Sequence, residues 1–479
     1  MTTNLDGRRR AGGRVRRRAH GDRHRYLAAL AALVIGTTAF AFQQTAVVPA
    51  LPTIEVDLAA STRLSAWLLT GYLVVASVFA PLLGKLGDRF GKRRLILVAL
   101  GAFLLGSLGA ALAPSIGWLI AFRSLQGLGG AVFPLAQSVA RDEFPVEGLG
   151  TAMGWLTGAF GLGGALGLGG TGFLVDALSW RAVFWAGAVV VGGAAVLVRL
   201  FVPRSPVRNR ARLDILGAAL LGGGLAAVLV PITEGERWGW ISAPTLGLAA
   251  AGVAALALWV GRELRLPQPL VDLRSLTRRP VLFANLTTLL LGYVLFGILF
   301  LVPHLVEAAP GRAGYGFGAD ALETGLLLLP NAIGQLVAGP LSGWLARRFS
   351  LRVALAAGLS LTAAGAVGLG FLHASRWEVA LGMFVVGVGL GFAIGPAATL
   401  VAQGVDRGET GVAIALNSVT RRVGGAVGGQ VAAALLAALT IGSAAPDEGA
   451  FTIGFLVSAA VAIVGVGGAL AVPARLAEV

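Results

Sequence analysis

Apolar runs of about twenty residues, separated by short polar or charged segments, follow one another from near Tyr26 almost to the C-terminus. A helix needs roughly 20 apolar residues to cross about 30 Å of hydrocarbon, so each run predicts one spanning helix. The runs fall near 27–50, 66–83, 95–113, 118–139, 149–174, 183–201, 215–232, 245–261, 281–303, 321–345, 353–372, 379–402, 411–438 and 451–472. The pattern therefore predicts an all-α membrane protein with fourteen spans.

Composition agrees with the pattern and narrows the chemistry. Of 479 residues, 56% are apolar and 13% charged, against about 25% charged in a soluble domain. The formal net charge of +15 would suggest nucleic acid in a soluble protein. Here the arginines gather in short segments between runs, where they report orientation, so no nucleic-acid partner is implied. With the N-terminus inside, 29 of the 38 Lys and Arg fall in cytoplasmic segments and five (Arg63, Arg181, Arg237, Arg312, Arg376) outside. Arg123, Arg199, Arg421 and Arg422 lie within or at the end of spans. Both termini are then cytoplasmic. The run behind the arginine-rich head is too long for a signal peptide and lacks a small-residue cleavage site, so it reads as an uncleaved first span. The absence of cysteine excludes disulfides and thiolate metal sites. Four histidines, two of them His20 and His24 in the basic tail, leave little for a metal centre, and no cofactor is expected. No Walker sequence, His-Glu-x-x-His or nucleophile elbow is present, so an enzyme is not expected.

Two loops carry the most information. Gly84-Lys85-Leu86-Gly87-Asp88-Arg89-Phe90-Gly91-Lys92-Arg93-Arg94 sets a glycine-hinged charge cluster between two apolar runs and holds both lysines of the chain. Gly343-Trp344-Leu345-Ala346-Arg347-Arg348-Phe349-Ser350-Leu351-Arg352 repeats it with identity at five of ten aligned positions, lacking the acid and the second glycine. Gly-Leu-Gly-Gly-Ala-Val-Phe-Pro at 127–134 echoes 389–396, and Leu-Gly-Gly-Ala-Leu-Gly at 162–167 echoes 423–428. The chain is thus two related halves, with spans 7 and 8 left over as an insert.

The first loop resembles the cytoplasmic loop between helices 2 and 3 of the major facilitator superfamily, Gly-x-Leu-x-Asp-Arg-x-Gly-Arg/Lys. Six, two and six spans match the fourteen-span drug:proton antiporter branch of that family. Leu213-Asp214-Ile215-Leu216-Gly217, Trp180-Arg181-Ala182-Val183-Phe184 and Ala321-Leu322-Glu323-Thr324-Gly325 open spans 7, 6 and 10 in its manner. The resemblance implies a facilitator fold: two six-helix bundles at 26–202 and 281–474, a linker with two inserted helices at 203–280, and tails at 1–25 and 475–479. It implies a monomer in a prokaryotic inner membrane that moves hydrophobic small molecules, including drugs, outward against protons. Two further readings stay open: differently coupled or uncoupled transport of a neutral or anionic metabolite, and a membrane sensor or assembly partner that has lost transport.

Carried over residue by residue, the resemblance makes Gly84, Asp88, Arg89 and Gly91 a conformational latch. Arg123-Ser124-Leu125-Gln126-Gly127 resembles the family's Arg-x-x-Gln-Gly on span 4. Arg123 and Gln126 share a helix face, and an arginine inside a span costs at least about 2.5–3.5 kcal/mol, so it should face a wet cavity or a partner. The antiporter element of span 5, placed at Gly167 to Gly172, lacks its proline and one glycine. In span 1, Gln43 stands where drug exporters of this branch often carry an Asp. No Asp or Glu appears in the middle of any predicted span, and the candidates left for proton coupling are Glu323, Asp176, His304 and Asp88. The polar residues expected along the pathway are Gln43, Gln44, Thr45, Arg123, Gln126, Asn285, Asn331, Gln335, Asn417 and Arg421. With Arg123 and Arg421 as interior charges, the pathway should carry positive potential. Gly163, Gly167, Gly172, Gly424 and Gly428 should let helices approach closely, since small residues substitute for a hydrophobic driving force in lipid.

Overall fold

A computed structural model describes residues 26–204, 214–266, 269, 271–439 and 446–472. The tails at 1–25 and 475–479 and the middle of the linker into the inserted helices lie outside the described residues. Fourteen long helices run through the rest: α1 (Tyr26–Thr45), α2 (Thr62–Phe90), α3 (Lys92–Ala111), α4 (Ile116–Glu143), α5 (Val146–Ala177), α6 (Trp180–Phe201), α7 (Ile215–Trp238), α8 (Ala243–Glu263), α9 (Arg279–Glu307), α10 (Ala321–Arg348), α11 (Leu351–Phe371), α12 (Arg376–Gly404), α13 (Thr410–Ala438) and α14 (Glu448–Leu470). Thirteen are long and apolar enough to cross a membrane. The exception, α13, is 29 residues long, as are α9 and α12, but Arg421 and Arg422 lie near its middle.

Local chemistry marks the helix ends. Ser61, Asp214, Asp320 and Ser350 each accept a backbone N–H from the first turn that follows, satisfying a donor the helix itself leaves unpaired. Gly91 separates α2 from α3 with φ of 101°, a conformation that favours glycine, so one residue turns the chain between two spans. α4 is interrupted by a 3₁₀ turn at Gly127–Ala131, where Gly127 and Gly130 pack against Tyr72, Val75 and Ala76 of α2.

One buried core is drawn mainly from α9 to α14 and another mainly from α1 to α6. The inserted pair α7 and α8 forms neither. Leu221, Leu225 and Trp259 join Val412 and Val419 of α13, with Val78 and Leu82 of α2 alongside, so the pair lies over the outside of the α2–α13 contact. α8 leaves Val253 and Leu258 exposed, as a lipid-facing helix would.

Candidate functional site

The two halves meet along a glycine seam. A Cβ added to Gly154 would strike the backbone of Gly339, one at Gly343 would strike Gly150 and Thr151, and one at Gly158 would strike Leu336. α5 and α10 are therefore in backbone contact over several turns, where glycine alone leaves room. Within each half, repeat-related glycines act alike: Gly163 and Gly167 pack on the carbonyls of Thr38 and Phe42 in α1, Gly424 and Gly428 on those of Leu289 and Tyr293 in α9. Gly172 departs from the expectation, because among the described residues no atom of another helix lies within 4 Å of its Cβ position.

Between the halves lies a cavity lined by Gln44 and Thr45 of α1, Phe160 of α5, Phe296 of α9, and Asn331 and Gln335 of α10, with leucine and alanine between them. Gln335 donates to Asn331 Oδ1 at 2.7 Å, Asn331 donates to the Met383 carbonyl at 3.3 Å, and Thr45 to the Gly164 carbonyl at 2.7 Å. The polar groups thus brace the wall, and the Gln44 Oε1 is left without a partner. A mostly apolar space with a few fixed polar groups is the usual form of a small-molecule site. No Asp, Glu or His lines it.

At one end of the molecule the halves are clasped. Asp88, buried on α2, accepts the backbone N–H groups of Gly411 at 3.0 Å and Val412 at 3.1 Å, the free donors at the start of α13. Each charge-assisted bond contributes about 1.5–3 kcal/mol. Lys92 holds Asp88 from behind, its Nζ 3.6 Å from Asp88 and 2.7 Å from Asp142 of α4. Lys85 donates to the Pro269 carbonyl at 3.3 Å and lies 3.9 Å from Glu409. Both lysines of the chain are buried in this clasp. Gly84 permits it, since a Cβ there would sit 2.6 Å from the Gly411 oxygen. Arg89 has its guanidinium over the Phe90 ring, 5.1 Å from the centroid, outside the clasp itself.

The second loop copy repeats the contact in the other half. Gly343 meets Gly150 and Thr151 as Gly84 meets Gly411 and Val412, and Arg347 donates to the Thr151 hydroxyl at 2.9 Å. A third tie runs from Arg141 of α4 to the Ala402 carbonyl of α12 at 3.0 Å.

Arg123 lies off the cavity. It is fully buried and gives its guanidinium to four oxygens: the carbonyls of Leu68 (3.3 Å), Gln43 (3.0 Å) and Gln44 (2.9 Å), and Gln126 Oε1 (2.6 Å). Gln126 passes the network to Ser107 at 2.8 Å, and the Tyr72 ring covers the guanidinium at 4.2 Å. The charge sits where α1 ends, on carbonyls the helix leaves free, so its partner is the broken backbone of span 1. Gln43 points away from the cavity too, into α6 against Gly187, with both side-chain polar atoms unpaired.

Arg421 behaves differently. It shares a small niche with Phe133, Gln137, Thr288, Asn417 and Ser418, with Asn417 held by Asn285 (2.8 Å) and Thr288 (2.9 Å). Arg422, one residue on, reaches back to the Gly130 carbonyl in the α4 break at 3.3 Å.

The expected proton-coupling residues lie apart from this interior. Glu323 is in the first turn of α10, paired with Arg376 at the surface. His304 is exposed, stacked on Phe300 near the end of α9. Asp176 is placed in the last turn of α5, and its side chain lies outside the described residues. Sequence reasoning missed the α5–α10 seam, although Gly150, Gly154 and Gly158 recur every fourth residue, as do Gly339 and Gly343. It also missed Phe160 and Phe296, because nothing in a uniformly apolar run marks which ring faces inward.

Comparison with known proteins gives one answer. Residues 33–429 match the model of the Major Facilitator Superfamily. The tetracenomycin C resistance and export protein of Streptomyces glaucescens is 33% identical over 436 residues, covering 90% of this chain and 79% of its own. A multidrug resistance protein B homolog of Mycobacterium tuberculosis is 30% identical over 401 residues, covering 80% and 71%. Among solved structures, a human organic anion transporter superposes with a TM-score of 0.65 at 18% identity, covering 92% of this chain and 99% of that one. A proton:xylose symporter of the superfamily reaches 0.66 at 13% identity, covering 92% and 94%. At those identities the two structures speak for the fold alone.

Proposed function

The chain belongs to the major facilitator superfamily, and from that premise we propose that it exports hydrophobic small molecules, drugs among them, across the inner membrane of a prokaryotic cell. The observation that carries this reading is the apolar cavity enclosed between two halves that are clasped at the Asp88 end. In this reading both termini and the Asp88 loop are cytoplasmic, and 26–202 and 281–474 rock about the midplane cavity in alternating access. The segment 203–280 is peripheral. One chain encloses the cavity by itself, which supports a monomer as the working unit. The relatives named for resistance and export support the direction of transport.

Coupling to protons is part of the proposal. No carboxylate lines the cavity, so the acid assigned to coupling is Asp88: protonation would convert its two charge-assisted bonds to weaker neutral ones and release α13. Uptake of a fluorescent aromatic drug into inverted vesicles, with and without an imposed pH gradient, tests both statements. Accumulation that rises with the gradient is the expected result. Accumulation indifferent to the gradient would leave export standing and remove the coupling. A second reading, transport of neutral or anionic compounds with another coupling, is favoured by the lack of acids in the cavity and the presence of Arg421 beside it.

A further inference from the structure

Interior cations among the described residues mostly have acceptors, and even Arg422, whose Nη1 is unpaired, reaches the Gly130 carbonyl. Arg123 has four oxygens and Lys92 two carboxylates. Arg421 breaks the rule: it is only 7% exposed, yet among the described residues it forms no ion pair and donates no hydrogen bond. Its guanidinium sits over the rings of Phe133 and Phe160, 5.3 and 5.2 Å from their centroids. Ring contacts stabilise a cation by much less than its burial costs.

A second donor points the same way. Gln137, 1% exposed, shares the niche with Arg421 and its Nε2 has no partner. Asn417 spends both amide hydrogens on Asn285 and Thr288, and among the described residues neither Arg421 nor Gln137 donates to its Oδ1. Among the described residues the niche therefore holds a charged fork and an amide N–H that are bonded to nothing. Phe160 forms the wall between this niche and the main cavity: it lines the cavity on one side and lies 4.9 Å from Phe133 and close to Arg421 on the other.

We propose that Arg421 and Gln137 form a subsite for the anionic oxygen of an aromatic acid, whose planar body lies in the apolar cavity against Phe160 and Phe296. The proposal deepens the export reading and rests on it. A carboxylate supplies the planar, paired acceptor that a guanidinium fork fits, and a phenolate a single anionic oxygen. A cationic amine would meet the like charge of Arg421. A ligand reaching from cavity to niche passes the Phe160 ring, so the ring turns aside as the acid docks.

The test compares 2-naphthoate with 2-naphthamide, which share a ring system and differ in charge, by equilibrium binding to the purified full chain in detergent at neutral pH. The wild-type protein should bind the acid about tenfold more tightly than the amide, the scale of one good charged contact. Arg421→Gln should bring the acid down to the amide's level and leave the amide within about twofold, and Gln137→Leu should lose part of the preference. Arg421→Lys should keep part of it, and this variant decides the matter if the glutamine protein melts early. Equal binding of acid and amide by the wild type, a preference that survives Arg421→Gln, or no binding of either compound would each overturn the subsite. Naphthoate flux in proteoliposomes separates the two layers. Preference without flux removes export and keeps the subsite, whereas flux without preference does the reverse.

Discussion

Asp88 and Gly84 set the clasp at the scale of single residues, and they fail in different ways when changed. Asp88→Asn keeps an oxygen near the Gly411 and Val412 N–H groups but loses the charge that makes both bonds strong. Replacing two charge-assisted bonds by neutral ones costs about 1–3 kcal/mol, so transport in proteoliposomes should fall roughly tenfold or more while membrane expression persists. Wild-type flux from a well-inserted Asp88→Asn protein would sink the latch. Gly84→Val acts by bulk, since even the first added carbon falls 2.6 Å from the Gly411 oxygen. It should hold the clasp open, and protease or labelling reagents should then reach the N-terminus of α13 faster than in the wild type. Arg123 makes a third case, because its fork meets acceptors from α1, α2 and α4 at once. A lysine cannot reproduce that geometry. Arg123→Lys should lower the melting temperature nearly as much as Arg123→Ala, and a lysine variant that melts like wild type would show that charge alone suffices.

Among elements, the inserted hairpin is the most self-contained. Asp214 caps α7 and also accepts two bonds from Arg262 near the end of α8, at 3.2 and 2.9 Å. Arg262 holds the Asp214 carboxyl below the usual carboxylate range. Because the folded value is depressed, this support is present above the ordinary value of 3.8 and is lost as pH falls below it. Asp214→Ala should therefore loosen the α7–α8 pair by about 1 kcal/mol near neutral pH, most of it the cap, and the difference from wild type should shrink in acid. Transport should change less than twofold. Span positions, the extra pair and the repeat were legible in the sequence because hydropathy and glycine-proline phrases are local signals. Which face of each span looks inward was not. Gln43 and Gln44 are adjacent, yet one is packed on α6 and the other lines the cavity, because neighbours on a helix point about 100° apart and packing sets which face turns inward. Arg123 and Arg421 read alike as intramembrane arginines. The first closes a broken helix and the second stands open, a difference made by acceptors that arrive from other helices.

In the whole molecule, the two loop copies make one contact twice, α2 on α13 and α10 on α5, and only the first uses a buried carboxylate. Arg347→Ala removes a bond to a hydroxyl, worth about 1 kcal/mol, so it should cost flux far less than Asp88→Asn. Equal losses from both would mean that the halves are held by shape and that the charge at Asp88 adds nothing. The arrangement also fixes where substrate can be. The cavity lies between the halves, while α7 and α8 sit behind α2 and α13, so a molecule on the pathway should shield α1 and α10 and leave the insert untouched. The native chain has no cysteine, so single cysteines report without background. Gln44→Cys and Gln335→Cys should be protected from a methanethiosulfonate reagent when substrate is present, and Ala254→Cys, on the lipid-facing side of α8, should show the same slow labelling with and without it. Protection at Ala254 with none at Gln44 or Gln335 would move the pathway to the insert and overturn the central cavity as the route.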